Sequence, residues 1–427
     1  MRVVIGAHAL VHPAGTETYV GLIARELQRL GHDVTVHAEE LGPLAEHLER
    51  EQGAVLARTT AELPGGCDAV LANDAMSAAA LGARYPGARL VQVAHSDLFD
   101  HQLPLLVPGA VDAVVVCSER IAKRMRALAL DVPIVRLRLP VDTDRFAGTS
   151  PLPPTPRRAL IVSNYLDGAR RRALVDAWGA QGVVCEQVGA PGRVELDPGP
   201  AMRDADIVVA KARAALEAMA CHRAVYVFDH FGGDGWITPE TYAAFEADNL
   251  AGHATPAPRT PAQLAADLAD YHPDMGWING ELVRLHHGSR HHAAALVEVL
   301  SGRRGAPVEA PVLAEVGRLT RLVWTSERRG IAAQQEAGAL RARVVAAEAE
   351  AAAAAQDAAE LPAWRARAAR AEEERDATRA ELATCREETR AWEQRALRAE
   401  QLVATARVRA GILAGRALDR LRGRPRP

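Results

Sequence analysis

At 427 residues the chain is longer than one hydrophobic core usually serves, so two or three folding units are expected. Apolar residues at 48% and charged residues at 25% place it among soluble globular proteins, and an aromatic content of 4% favours alanine-rich helices over a sheet-rich sandwich. A formal net charge of −3 excludes both the basic character of a nucleic-acid binder and the acidity of a polyanion mimic.

Residues 2–7 (Arg-Val-Val-Ile-Gly-Ala) read as a buried strand, followed by a loop over His12 to Glu17. Tyr19, Leu22, Ile23, Leu27 and Leu30 then recur at helical spacing, and Gly31 ends that helix. Asp33 to His37 is the next strand, completing a βαβ unit of a parallel sheet. The alternation continues with strands at 69–72, 89–93 and 113–117, a helix capped by Ser118, and a strand at 133–137. The stretch from Pro140 to Pro156 holds five prolines without periodicity and reads as an interdomain linker.

A second α/β series begins at 159–162 and passes through strands at 182–185, 205–209 and 224–228. Helical segments around 261–270 and 291–300 close it. The expected organisation is a Rossmann-like domain at 1–139, a linker at 140–157, a second Rossmann-like domain at 158–302 and a helical tail at 303–427. Ligands on such sheets bind beyond the carboxyl ends of the strands, which places the site in the cleft between the two domains.

Alanine, arginine and glutamate dominate from about residue 312. Leu340, Leu361, Leu382 and Val403 share one heptad position, with Trp364 and Trp392 three residues after it, an interrupted coiled-coil pattern. Pro362 suits a helix start, so the tail should break into two helices there, and Arg416 to Pro427 form a basic end with five arginines among twelve residues. Such helices suggest a homo-oligomer, a partner dock or a membrane-surface anchor. The five cysteines form no C-x-x-C pair, no apolar run approaches the roughly 20 residues of a membrane span, and Met1 to His8 is too short for a signal peptide. A cytoplasmic location is expected, with contact at most to the inner membrane face.

Several residues could carry chemistry. Gly15 joins the first strand to the first helix, where a backbone can approach a ligand phosphate. His95 follows a strand at its carboxyl end; the alternative is a solvated loop histidine. The strongest feature is a strand at 205–210, a loop at Lys211-Ala-Arg213 and a helix at 214–220 bearing Glu217. Two cations at a helix N-terminus are unfavourable unless an anion sits there, and a diphosphate would supply one. Arg170, Arg171 and Arg172 begin the first helix of the second domain and could join that site, although most basic triplets are solvated. His286, His287, His291 and His292 invite a metal reading, but no carboxylate or cysteine completes a set, and a polar helix face is favoured.

These pieces, in this order, resemble the family 4 glycosyltransferases, retaining enzymes of the two-domain GT-B fold. The resemblance covers about residues 1–300 and rests on Ala14 to Tyr19, Ile23 to Val34, the linker run Pro140 to Phe146, and Leu216 to Cys221. It implies transfer of a sugar from a nucleotide-diphosphate sugar donor to an acceptor hydroxyl of a glycan, lipid or small molecule, with no cofactor. By the same resemblance Gly15 lies near the donor phosphates or the acceptor, His95 contacts the donor sugar, Arg171 holds the diphosphate and Glu217 binds ribose as the second glutamate of E-x7-E. Asn164 stands where an arginine is common, Lys211-Ala-Arg213 replaces a Gly-Phe-Gly loop, and Val209 stands where the first glutamate belongs. Lys211 and Arg213 are read as replacements for the lost cation. The alternatives are a degenerate nucleotide-sugar-binding scaffold acting through its tail, and another nucleotide-sugar enzyme such as an epimerase.

Overall fold

The computed structural model describes the chain apart from residues 13, 97–99, 149–150, 167, 190–192, 194, 231, 256–258, 358–366, 368, 396–397 and 399–427. It divides into a unit spanning Met1–Leu313 and a second from Ala314 onward.

The first unit holds two sheets. The N-terminal lobe is built from β1 (Arg2–Leu10), α1 (Gly15–Arg29), β2 (Asp33–Leu41), α2 (Pro43–Gln52), β3 (Leu56–Ala57), β4 (Ala69–Ala72), α3 (Ala75–Arg84), β5 (Arg89–Ala94), β6 (Ala113–Val116), α4 (Glu119–Ala127) and β7 (Ile134–Arg136). Among the described residues its strands form one seven-stranded parallel sheet in the order β3-β2-β1-β4-β5-β6-β7. Every residue of β4 and β6 is buried, which is why these central strands read as unbroken apolar runs. Asp74 and Ser118 cap α3 and α4 by accepting from the amides of Ser77 and Ile121.

The C-terminal lobe follows with β8 (Arg158–Val162), α5 (Gly168–Gly179), β9 (Val184–Val188), α6 (Gly199–Asp204), β10 (Ile207–Ala210), α7 (Ala212–Ala220), β11 (Ala224–Asp229), β12 (Gly232–Trp236), α8 (Pro239–Ala247), α9 (Pro261–Asp267), α10 (Asp274–His286) and α11 (Ser289–Leu300). Its sheet order is β12-β11-β10-β8-β9, parallel except for β12. Trp178 and Trp236 stack at 6.1 Å, with Tyr226 edge-on to both, and anchor the lobe's core. The architecture is thus the two-domain α/β arrangement expected from the sequence. α11 packs back on α1, β4 and β5, and Arg89 Nε donates to Val299 O at 2.7 Å, so the second series ends against the first lobe.

Of the four histidines at 286–292, His291 is exposed and His286 half-buried, whereas the other two are buried. His287 and His292 are 3% and 6% exposed. His287 Nδ1 donates to Leu139 O at 2.7 Å and its Nε2 accepts from Tyr242 Oη at 2.8 Å. His292 does the same with Arg138 O at 2.8 Å and Tyr19 Oη at 3.0 Å. Each neutral ring clips the start of the linker to a tyrosine, and burial pushes both down to about 4. Among the described residues no group of three His, Cys, Asp or Glu is placed to hold a metal.

In the second unit, the long helix α12 (Ala310–Asp357) begins at the boundary, and residues 369–395 are helical. The two run antiparallel. Arg329 lies over the Trp392 ring, Cys385 Sγ meets Ala333 O, Arg343 pairs with Glu381, and Arg379 with Glu348. Leu340 and Leu382, which share a heptad position, pack in one cluster with Ala337, Val344 and Cys385. Leu361, Pro362, Trp364, Val403 and the basic end lie outside the described residues. No described helix is long and apolar enough to cross a membrane.

Candidate functional site

Sheet order fixes where a site can form. In the N-terminal lobe the direction of strand addition reverses between β1 and β4, and in the C-terminal lobe between β8 and β10. Loops leaving neighbouring strands at such points diverge and open a crevice. Gly15 follows β1, Ser163 to Tyr165 follow β8, and Lys211 follows β10. These loops line one cavity of about 280 Å³ between the lobes, just below the usual range for small-ligand sites.

Of the residues singled out in the sequence, the cavity gathers Gly15, Asn164, Lys211, Arg213 and Glu217. Gly15 opens α1, whose N-cap Ala14 offers no side chain to the first-turn amides. A Cβ at Gly15 would meet nothing within 4 Å, so the space before it is open. Opposite stands the start of α7. The helix begins at Ala212 rather than at residue 214, so Arg213 lies in its first turn and only Lys211 precedes it, as an N-cap without a capping side chain. Ala212 takes φ +49°, a left-handed conformation that favours glycine, and its amide donates to Leu250 O at 2.9 Å.

The two cations are not exposed. Lys211 Nζ sits 3.0 Å from Asp229 Oδ2 and 5.1 Å from the centroid of the Tyr165 ring. Arg213 is only 8% exposed. Its Nε donates to Gly15 O and its Nη1 to Pro140 O, both at 3.3 Å, while Nη2 is buried without a partner. Glu217 is 4.0 Å from Arg213, one turn along α7. Burial pushes its carboxyl up to about 7, against the pull of Arg213 and Arg145. Farther along, Arg25 bonds Asp142 at 2.6 Å and Arg145 pairs with Asp197 at 3.4 Å. The helix-start cations therefore already have protein carboxylates beside them, a compensation that only the fold supplies.

His95 and Arg171 are not in the cavity wall, nor are Arg170, Arg172 and the four histidines at 286–292. His95 Nε2 donates to Asn73 Oδ1 at 2.9 Å, and the Asn73 amide is itself fixed to Gly6 O. The ring meets Tyr19 edge-on at 5.0 Å, and burial, aided by Arg213 and His292, lowers it to about 3. It is a neutral, half-buried imidazole held by Asn73 and Tyr19. Arg171 donates through Nε to Gln187 Oε1 at 2.6 Å, and Gln187 donates to the carbonyls of Ser163 and Leu166, so Arg171 braces the loop after β8. Val209, where the family motif has glutamate, is fully buried in the C-terminal core.

Sequence reasoning assigns Asp229 no role. It ends β11, accepts from Ser163 Oγ at 2.7 Å and holds Lys211 at the cavity. Its signal is a lone acid at the carboxyl end of an apolar strand, Ala-Val-Tyr-Val-Phe-Asp. Gly189 is passed over too: at φ +127° a Cβ there would lie 2.1 Å from Ser163 O, so only glycine lets the end of β9 pass the loop after β8.

A scan against protein-family models and a search of curated proteins find no match. Solved structures do match. An alpha-glucosyltransferase in complex with UDP and a 13-mer DNA containing a HMU base aligns with a TM-score of 0.50 at 10% identity, over 71% of this chain and 100% of that one. A glycosyltransferase from Rickettsia africae ESF-5 aligns with a TM-score of 0.49 at 14% identity, over 70% of this chain and 97% of that one. WaaG, a glycosyltransferase involved in lipopolysaccharide biosynthesis, gives 0.47 at 13% identity, over 70% and 100%. At these identities the likeness is one of fold, the two-lobed GT-B arrangement.

Proposed function

We propose that the chain is a glycosyltransferase using a nucleotide-diphosphate sugar, a hexosyltransferase of the family 4 kind that transfers with retention. The observation carrying this reading is the interlobe cavity where α7 presents Lys211, Arg213 and Glu217 to the start of α1, with a buried guanidinium nitrogen lacking a partner. A buried N–H without an acceptor is costly, and an anionic oxygen would relieve it. The donor diphosphate lies against the first-turn amides of α7, Lys211 and Arg213, with Glu217 toward the ribose. The acceptor enters from the N-terminal lobe. Its hydroxyl attacks the anomeric carbon on the face the phosphate leaves, the bond to the phosphate oxygen breaks, and the hydroxyl proton passes to that oxygen. Cations and amides fixed before the reaction stabilise the charge that develops on the leaving diphosphate.

Val209 in place of a carboxylate favours a second reading, a cleft that binds nucleotide sugar without transferring it. Calorimetry with UDP, GDP and their sugars, followed by an acceptor screen, separates the two. Micromolar binding with glycoside formation supports the enzyme. Binding without turnover supports the scaffold, and no nucleotide binding at all removes both.

A further inference from the structure

Arg213 stands apart from the other cations of the cleft because its three nitrogens face three different things. It is carried by α7 of the C-terminal lobe, yet Nε reaches Gly15 O on the N-terminal lobe and Nη1 reaches Pro140 O at the start of the linker. Nη2 has no partner, and Arg213 is 8% exposed, so water does not relieve it. Nη1 is also 4.0 Å from Glu217 Oε1, too far for a hydrogen bond. Other ion pairs also join the lobes: Arg136 and Arg138 with Glu246 at 2.8 and 3.3 Å, and Arg120 with Asp248 at 2.9 Å. None of those residues lines the cavity.

We propose that Arg213 is an interlobe positioning residue, a bolt from the C-terminal lobe that fixes the α1 turn and the linker and engages fully when an anion completes its third nitrogen. An anion bound there ties closure of the lobes to occupation of the cleft, because one planar group makes all three contacts. Arginine is required, since lysine brings the charge but no fork of separate nitrogens. The anion half of the proposal rests on the donor reading; the bolt itself does not.

Hydrogen exchange on the full chain tests both halves, with pyrophosphate and UDP as probes and circular dichroism confirming that each variant folds. In Arg213→Ala, amides in 18–24 and 141–146 should exchange at least about tenfold faster than in the parent, the factor that a 1.4 kcal/mol loss carries. Those of α8 should be unchanged. Arg213→Lys should recover part of the pyrophosphate affinity yet exchange as fast as Arg213→Ala. In the parent alone, pyrophosphate should slow both segments further. Equal exchange in the parent and both variants would overturn the bolt, whatever the nucleotide does. Failure of pyrophosphate and UDP to bind the parent would overturn the anion half and the donor reading, leaving the exchange comparison to decide the bolt. If Arg213→Ala does not fold, the comparison of parent with Arg213→Lys decides the bolt in the same way.

Discussion

Acid should loosen the joint between the lobes through His287 and His292. Both rings are neutral, each wedged between a tyrosine hydroxyl and a backbone carbonyl at the start of the linker. Folded, they take a proton only near pH 4, whereas an unfolded histidine does so near pH 6.5. Between those values the unfolded chain binds more protons, so the stability they confer is full above pH 6.5 and lost as pH falls toward 4. From pH 7 to 5.5 the loss is about 1.2 kcal/mol for each histidine and about 2.5 kcal/mol for the pair. Glu217 acts in the opposite sense. Its folded value of about 7 lies above its unfolded one, so acidification over the same range returns roughly 1.5 kcal/mol. The quantity to measure is therefore the difference between the parent and the double variant His287→Gln, His292→Gln, in which Glu217 cancels. Urea unfolding followed by tryptophan fluorescence at the two pH values, with slopes compared to confirm the same transition, gives it directly. Equal loss of stability in parent and variant on acidification would show that the histidines are not the titrating groups.

Other consequences are local. Ala212→Gly should raise stability by roughly 0.5–1 kcal/mol, because φ +49° strains an alanine but not a glycine; a lower melting midpoint would contradict this. Gly189→Ala should cost at least about 2 kcal/mol, since the added methyl would enter the Ser163 carbonyl; thermal melting reads it. Glu217→Gln should shrink the pH dependence of UDP affinity to that of the terminal phosphate alone, which titrates at about pH 6 in parent and variant alike. In the parent, affinity should rise as pH falls through about 7, because a protonated Glu217 no longer repels the diphosphate, and calorimetry at pH 6 and 8 checks it. Leu382→Ala should weaken the antiparallel pairing of α12 with residues 369–395 by about 2–3 kcal/mol, seen as faster proteolysis between them; unchanged cleavage would place the cluster outside the pairing.

Much of the fold is legible because parallel strands buried on both faces read as apolar runs: β4, β5, β6 and β8 fall where the apolar stretches stand. The failures have physical reasons. β12 is Gly-Gly-Asp-Gly-Trp, with no β-branched residue, and it is a strand only because β11 offers it an edge. α2 has four charged residues among ten and shows its core face only in Leu44, Ala45 and Leu48. In the site, Lys211, Arg213 and Glu217 can be found because one strand–helix joint carries them. Their partners Asp229, Gly15 and Pro140 are set by sheet order, which no local pattern encodes. His95 and Arg171 are sound as positions at a strand end and a helix start, but spacing does not say where a side chain points. His95 faces Asn73 and Arg171 faces Gln187.

The pairing of cations with carboxylates in the cleft bears on how it would work. Lys211 is held by Asp229, which Ser163 fixes in turn, and Arg213 has Glu217 beside it. A cleft that only stored nucleotide sugar would gain from unpaired cations, which grip donor and leaving group alike. Partial neutralisation weakens the hold on the donor, whose diphosphate carries less charge than the nucleotide diphosphate that departs. Asp229 fixes the ammonium, and the carbonyls of Gly15 and Pro140 fix the guanidinium, before charge develops, so little reorganisation remains for the transition state. Interactions that strengthen as the leaving group gains charge are those that raise turnover rather than mere affinity. On this reasoning the acid–base pairing at the start of α7 fits transfer better than storage, even with Val209 filling the place of a glutamate.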